Sequence, residues 1–431
     1  MKISPRSSVY RLFAVFAAVV AMGALATVGA GESGGASGPL GKPIVVMTEA
    51  AVVTNFAPYP EIPDVAVDYM KWVNAHGGIV DGSGVRHDLK VITCDDMDNP
   101  NQAAYCARQA ASDHVVAVVG SYSTQGGFVV PILQANHIAW FGICCANAPQ
   151  EFSSPVSFPT GSTAAELLGV GAYAGKLCKK TVLITGQSSA SAFLENSIGL
   201  GMKAEGKKFF NVVDIPFTAQ DYSPYVAEAL NGNPDCFLIL EGKNQFFSFL
   251  PPLEQAGGHQ KILSVPGTFT PAVIKAFPSA MNYAIRVGSY PAFGSPLLAT
   301  YRKALNKYEP VSVYKSLDWT GVAAEGTWTG YVEFTNIIAT MKGPINNATF
   351  LKAASHTKAL NSDGLVPTLN LTKDFSAAGY HKLFNRYVTV EYVSNGKLVP
   401  VDNLFHDISP AFLGKNVTIV IPSFLSAAYS R

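Results

Sequence analysis

The 431-residue sequence predicts an α/β protein built on parallel, doubly wound sheets and divided into two lobes. Three observations carry this reading. Between Asn74 and Gly142, apolar strands and helical segments alternate in β-α-β-α-β order, the traffic of a parallel sheet. A second βα series of similar size follows from Ala164 to Val265, so a cleft between two lobes is expected. A hydrophobic content of 48% with only 14% charged residues describes a chain that buries large cores.

The first thirty residues read as a signal peptide. Lys2, Arg6 and Arg11 form a positive n-region, and Leu12 to Ala30 is almost wholly apolar. Small residues at Ala24 and Ala26, or at Val28 and Ala30, suit a signal-peptidase site. The competing reading is an uncleaved anchor, because the run approaches the roughly 20 residues needed to span a bilayer. No cysteine follows the run until Cys94, so a bacterial lipoprotein anchor is not expected. Residues 31–42 read as a flexible linker, and no second apolar run reaches spanning length. The mature protein is expected to be exported, periplasmic or extracellular, and not membrane-spanning.

The first βα series begins at a helix end closed by Gly77-Gly78. Leu89 to Thr93 is a strand that runs into the acidic turn Asp95-Asp96. Asp98 or Asn99 before Pro100 starts a helix, since a cap oxygen takes a free N–H and proline tolerates the first turn. That helix, Asn101 to Ser112, feeds the strand Val115 to Val119, which ends in the polar loop Ser121-Tyr122-Ser123-Thr124. Ligands of such sheets sit at the carboxyl ends of strands, where this loop and Cys144 to Asn147 both fall. A helix from Gln125 would add an N-terminus that favours an anion; the same residues also serve to cap that helix.

In the second series the strands are Thr181–Thr185, Asn211–Ile215, Cys236–Leu240 and Ile262–Val265. Helices fall near Ala164–Leu177, Ala192–Gly206, Ser223–Asn231 and Asn244–Ala256. Beyond Val287, Pro296–Tyr308, Trp319–Met341 and Asn347–Ser355 read as helices. Val388–Val393 and Lys397–Val401 alternate as strands, and the Asn395-Gly396 turn between them is a strong hairpin signal.

Six cysteines in an exported chain make three disulfides the default, although 15 connectivities are possible for six. Cys94 ends a strand and Cys106 lies on the next helix, so this pair would close a short loop. Cys178 and Cys236 precede two strands and would share one sheet edge if those strands are neighbours. The adjacent Cys144 and Cys145 could form a vicinal disulfide or remain thiols. A catalytic thiol is not expected, because such a thiol needs positive neighbours.

Several function classes find no support. A net charge of +1 gives no electrostatic reason for nucleic acid or an anionic surface as partner. Gly186-Gln187-Ser188-Ser189-Ala190 mimics a nucleophile elbow, with Asp363, Asp374 or Asp402 and His381 or His406 as conceivable partners, but the oxyanion loop that chemistry needs is missing. Ser312 to Lys315 matches S-x-x-K without the motifs that should follow. The eight histidines lack metal-ligand spacing, and Gly199 to Gly206 lacks nucleotide-binding spacing. No cofactor, metal or enzymatic activity is expected.

The chain resembles the type I periplasmic binding proteins of the branched-chain amino-acid-binding class, the solute receptors of ABC importers. The resemblance runs from about Pro43 to Val401. It rests on N-x-x-GGI (Asn74, Gly77, Gly78, Ile79), DD-x-x-x-P (Asp95, Asp96, Pro100), V-x-x-V-V-G (Val115, Val118, Val119, Gly120), LEQAGG (Leu253 to Gly258) and the closing hairpin. It implies two Rossmann-like lobes with parallel central sheets, joined by three crossover strands, with ligand in the interlobe cleft. Lobe 1 would comprise 43–158 and 288–360, and lobe 2 159–287 and 361–431. By the same resemblance, closure on a small-molecule ligand presents the receptor to an ABC transporter permease. Candidate ligand contacts are Ser121, Tyr122, Ser123, Thr124, Cys145, Ala146 and Asn147 on one lobe, and Ser191, Glu241, Gly267 and Phe269 on the other. The family's ammonium-binding acid falls on Pro266-Gly267-Thr268, where there is none, and Glu241 is the one carboxylate at a suitable strand end. Aromatic residues near these loops widen the expected ligand to an amino-acid-like molecule, an amide or an aromatic acid. A ligand-sensing regulator of the amide-receptor sort, or a serine hydrolase using Ser188, are the alternatives.

Overall fold

The computed structural model describes residues 38–54, 58–161, 163–187 and 191–430. The expected signal peptide, its expected cleavage site and Ser188 lie outside the described residues. The last part of the linker is already bonded: Gly41 N–H donates to the Arg86 carbonyl and Arg86 N–H to that of Pro39.

The chain opens with β1 (Ile44–Ala50) and α1 (Glu61–Ala75). Gly77 and Gly78 follow with φ of 100° and 78°, ending α1 as their composition requires. A small antiparallel pair, β2 (Ile79–Val80) and β3 (Arg86–His87), leads into β4 (Leu89–Asp95). The helix α2 (Pro100–Ser112) starts as its sequence dictates, with the Asn99 side chain accepting from the N–H groups of Asn101 and Gln102 and Pro100 in the first turn. Then come β5 (Ala117–Val119), α3 (Gly126–Ala135), β6 (Ala139–Ile143) and β7 (Ser157–Pro159). These strands form one all-parallel sheet in the order β4-β1-β5-β6-β7. Every residue of β5, β6 and β7 is buried, the mark of strands covered on both faces.

The second sheet is built from α4 (Thr163–Leu177), β8 (Thr181–Gly186), α5 (Ser191–Ala204), β9 (Asn211–Ile215), α6 (Ser223–Leu230), β10 (Cys236–Leu240), α7 (Lys243–Gln255), β11 (Lys261–Ser264), α8 (Pro271–Ala276) and β12 (Ile285–Gly288). The chain then returns to the first sheet through α9 (Ala299–Tyr308), α10 (Val311–Ser316), α11 (Val322–Ile338) and α12 (Asn347–Ser355), of which α9 and α11 pack on α1. It crosses a third time to add β13 (Tyr387–Ser394) and β14 (Lys397–Pro400). The order is β9-β8-β10-β11-β12-β13-β14, parallel up to β12 and antiparallel beyond it. Asn395 and Gly396 turn the closing hairpin with φ of 50° and 72°, the left-handed pair that such a turn demands.

Two cores flank the first sheet. On one side α1, α9, α11 and α12 bury Trp328, Tyr331, Phe334 and Phe350 with Phe141 and Phe158, and Leu365, Val366, Leu369 and Leu371 join this cluster. The approach of α11 to β6 is close enough to require glycine on both partners. A Cβ on Gly330 would lie 2.6 Å from the Gly142 carbonyl oxygen, and Gly142 itself has φ of 66°. Three disulfides form: Cys94–Cys106, Cys178–Cys236 and the vicinal Cys144–Cys145. Cys178 and Cys236 do share a sheet edge, because β8 and β10 are neighbours with Thr181 opposite Cys236.

Candidate functional site

Loops at the strand ends of both sheets enclose a cavity of about 120 Å³. The first sheet contributes Tyr59, Tyr122, Thr124, Cys145 and Asn147 to its wall. Of the hydroxyl loop after β5, Tyr122 and Thr124 face the cavity, whereas Ser121 and Ser123 are wholly buried. Their hydroxyls serve the protein: Ser121 Oγ accepts from Glu49 N–H at 2.9 Å, and Ser123 Oγ donates to the Asp96 carboxylate and accepts from Gln125 N–H. Thr124 Oγ1 donates to Asp98. The hydroxyls therefore brace the loop against the acidic turn, and the expected helix begins one residue later, at Gly126.

Behind the next loop stands Glu151. One of its carboxylate oxygens accepts from the N–H groups of Asn147 and Ala148, both at 2.8 Å, and the other from the Trp140 indole at 2.9 Å. This fixes Asn147 at the cavity edge while Ala146 turns into the core. Sequence reasoning did not single out Glu151. Its signal was a buried tryptophan, whose indole N–H must find an acceptor.

The facing wall comes from the ends of β10 and β11 and the first turn of α4. Leu240, Glu241, Gly242, Gly267, Thr268, Thr163 and Glu166 line it. Ser191 and Phe269 lie off the wall: the Ser191 hydroxyl donates to the Gly186 carbonyl, and Phe269 stacks on Phe246 in the core. Glu241 is 2% exposed and neither of its carboxylate oxygens has a hydrogen-bond partner. Burial, and then the charge of Asp214, push its pKa up to about 8. Gly186 leaves the space this carboxyl occupies, since a Cβ there would meet Glu241 Oε2 at 2.9 Å and the Phe217 ring at 2.2 Å. Glu166 is raised to about 8 by burial, with Ser289 and Arg286 opposing the rise. It lies in an otherwise apolar helix, so periodicity alone gives it no prominence.

A polar bridge closes one side of the cavity. Lys243, which opens α7 beside the second sheet, donates to Glu61 on α1 at 2.8 Å. Its ammonium also sits 5.0 Å from the Tyr59 ring centre, and Tyr59 meets Tyr122 edge-on at 5.0 Å. A larger depression of about 530 Å³, between Pro271, Phe293, Thr320 and Lys397, holds no comparable unpaired group. Its one buried cation, Arg286, is bonded to Glu391 and Thr320. The smaller cavity, with an unpartnered acid at strand ends, is the better ligand site. Among the described residues, no group of three or more His, Cys, Asp or Glu side chains could hold a metal ion, and no helix is long and apolar enough to cross a membrane.

One parallel and one mostly parallel sheet, three chain crossings and a cavity between strand-end loops define a two-lobed solute-binding architecture. The chain belongs to the periplasmic binding protein family, whose sequence model matches residues 60–397. No curated protein sequence matches it. Among solved structures it is similar to a leucine-binding protein of Thermotoga maritima, at 15% identity and a TM-score of 0.64 over 83% of this chain and 98% of that one. A solute-binding protein of an ABC transporter from R. palustris, in complex with 4-hydroxybenzoate, shares 16% identity with a TM-score of 0.68, over 86% of this chain and 98% of that one. A fatty acid ABC transporter substrate-binding protein from Thermomonospora curvata shares 17% identity with a TM-score of 0.67, over 89% and 97%. At these identities the likeness is one of fold.

Proposed function

We propose that this protein is the exported receptor of an ABC importer and carries a small amino-acid-like, amide or aromatic-acid solute to a membrane permease. The observation that carries this reading is Glu241, a buried carboxyl with no partner, on a cavity to which both sheets contribute loops. A buried polar group without a partner is costly unless something else binds it. In this reading one body is 43–158 with 288–360 and the other 159–287 with 361–431; the packing of Leu365 to Leu371 on the first-sheet core supports carrying the first body on to Leu371. Ligand contacts to both bodies exist only when the cleft is shut, so ligand shifts the population towards the closed form. Tyr122, Thr124, Cys145, Asn147, Glu241 and Gly267 would touch the solute, while Ser121, Ser123, Ala146, Ser191 and Phe269 would support those that do.

Thermal melts of the mature chain against amino acids, amides, urea and aromatic acids test this. A bound solute stabilises by mass action, about 2.7 kcal/mol at a hundredfold excess over Kd, and should raise the melt by several degrees. If no member of those classes moves the melt, the assigned solute class is wrong.

A further inference from the structure

The carboxyls of the cavity wall have no basic counterpart there. Glu166 and Glu241 line the cavity, and among the described residues no lysine, arginine or histidine does. The first-sheet side is backed by further acids: Glu49, whose two carboxyl oxygens have no partner, stands within the fields of Asp96 and Glu151. The two cations nearby are already engaged, Lys243 by Glu61 and Arg286 by Glu391. Tyr59 and Tyr122 add aromatic surface, and Leu167, Leu194, Leu240, Val265 and Val322 give the remainder an apolar character.

We propose that the cavity takes a small solute with an apolar body and a cationic nitrogen, such as a primary amine, and no carboxylate. This rests on the solute-receptor reading above and replaces the solute classes named there with an amine that lacks a carboxylate. Glu241, with both oxygens buried and unpartnered, would accept the ammonium, and the tyrosine rings would add cation–π attraction. A carboxylate placed in the same space would meet the neutral donors Asn147 and Thr163 beside two acids, because the Thr124 and Thr268 hydroxyls already donate to Asp98 and to the Val265 carbonyl. That arrangement discriminates by repulsion as well as attraction. The acid also stands on a different strand end from the position where the family resemblance places an ammonium-binding acid.

A pH signature follows. The groups that face Glu241 are Asp214 on β9 and Tyr222 ahead of α6; those that face Glu166 are Arg286 on β12, Ser289, Tyr290 and Glu325 on α11. None of them supplies Glu241 with a cation. Its carboxyl is protonated at neutral pH in the empty site, so entry of a cation expels that proton. Affinity for an amine then rises about tenfold per pH unit up to about pH 8 and flattens above it.

The test uses matched skeletons on the mature full chain by titration calorimetry: isoamylamine, leucine and isocaproate in one series, benzylamine and benzoate in the other. The amine of at least one series should bind, with leucine about tenfold weaker or worse and the carboxylates undetected. Amine affinity should climb between about pH 6 and about pH 8, and Glu241→Gln should remove both the climb and the preference. A carboxylate or leucine that binds as tightly as the matching amine, or an amine affinity flat across that range, overturns this inference and leaves the receptor reading intact. If neither the amines nor the wider set of amino acids, amides and aromatic acids binds, the receptor reading of this cavity fails and the inference with it.

Discussion

Glu241→Gln in the ligand-free protein should stabilise it, and increasingly so as pH rises. The wild-type carboxyl has an ordinary value of 4.5 and is held near 8 in the fold by burial. Below about pH 4.5 it is protonated in both folded and unfolded chains, so it contributes nothing to pH dependence. Between about 4.5 and about 8 the unfolded chain ionises while the folded one does not, and wild-type stability falls as pH rises. Above about 8 the loss is complete and levels off. At about 1.4 kcal/mol per unit, the ceiling is about 5 kcal/mol. Relaxation and water penetration around the ionised carboxyl should leave about 2–3 kcal/mol of this. For a chain of this size that is a rise of about 3 °C in Tm at pH 8. The assay is a set of matched melts of wild type and variant from about pH 5 to about pH 9. The difference must grow with pH across the window; a difference of either sign that stays constant refutes the assignment of Glu241 as a buried, unpaired acid.

Lys243→Met should remove the bridge to Glu61 and the contact with Tyr59; we expect solute affinity to fall about tenfold, or about 1.4 kcal/mol, with a larger radius of gyration by solution scattering in the presence of solute. The disulfides should differ in worth. Closing a 58-residue separation, Cys178–Cys236 constrains the unfolded chain more than Cys94–Cys106 at 12 residues; paired alanine variants should lose about 4 and about 3 kcal/mol in denaturant melts. Gly330→Ala would force a methyl against the Gly142 backbone at 2.6 Å and should cost about 1–3 kcal/mol by overpacking, read as a lower midpoint in urea.

What the sequence could announce was whatever is local or periodic. Asn99-Pro100, Gly77-Gly78 and Asn395-Gly396 each impose a backbone state on their own neighbours, and each stands where that state is used. The strands Asn211–Ile215 and Cys236–Leu240 have the bounds their apolar runs indicate. Trp319–Met341, read as one helix, is shorter, Val322–Ile338, because Asp318 and Thr320 form a polar turn before it. The site was less legible. The serines of the loop after β5 have hydroxyls suited to a ligand, but whether they meet one depends on Glu49, Asp96 and Gln125, distant groups that claim them first. Glu166 is hidden because a helix of almost continuous burial carries no periodic signal of which residue meets the cavity.

The placement of charge also bears on why such a cleft would stay open until loaded. Glu166 and Glu241 stand on the second-sheet wall, and Glu49, Asp96 and Glu151 stand behind the first. Closing an empty cleft brings acids of both walls together and removes their water, a cost met either by protonation or by a counter-charge. The Lys243–Glu61 bridge cannot supply that counter-charge, because its lysine is already spent on a carboxylate. A solute with a cationic nitrogen would neutralise the second wall and present its apolar body to Tyr59 and Tyr122 on the first. Affinity and closure would then draw on the same interaction. In Glu241→Gln the two should separate: the empty variant should close more readily than wild type, yet bind an amine more weakly. A variant that both stays open and keeps its affinity would show that closure is governed elsewhere, by shape at the hinge and not by charge in the cleft.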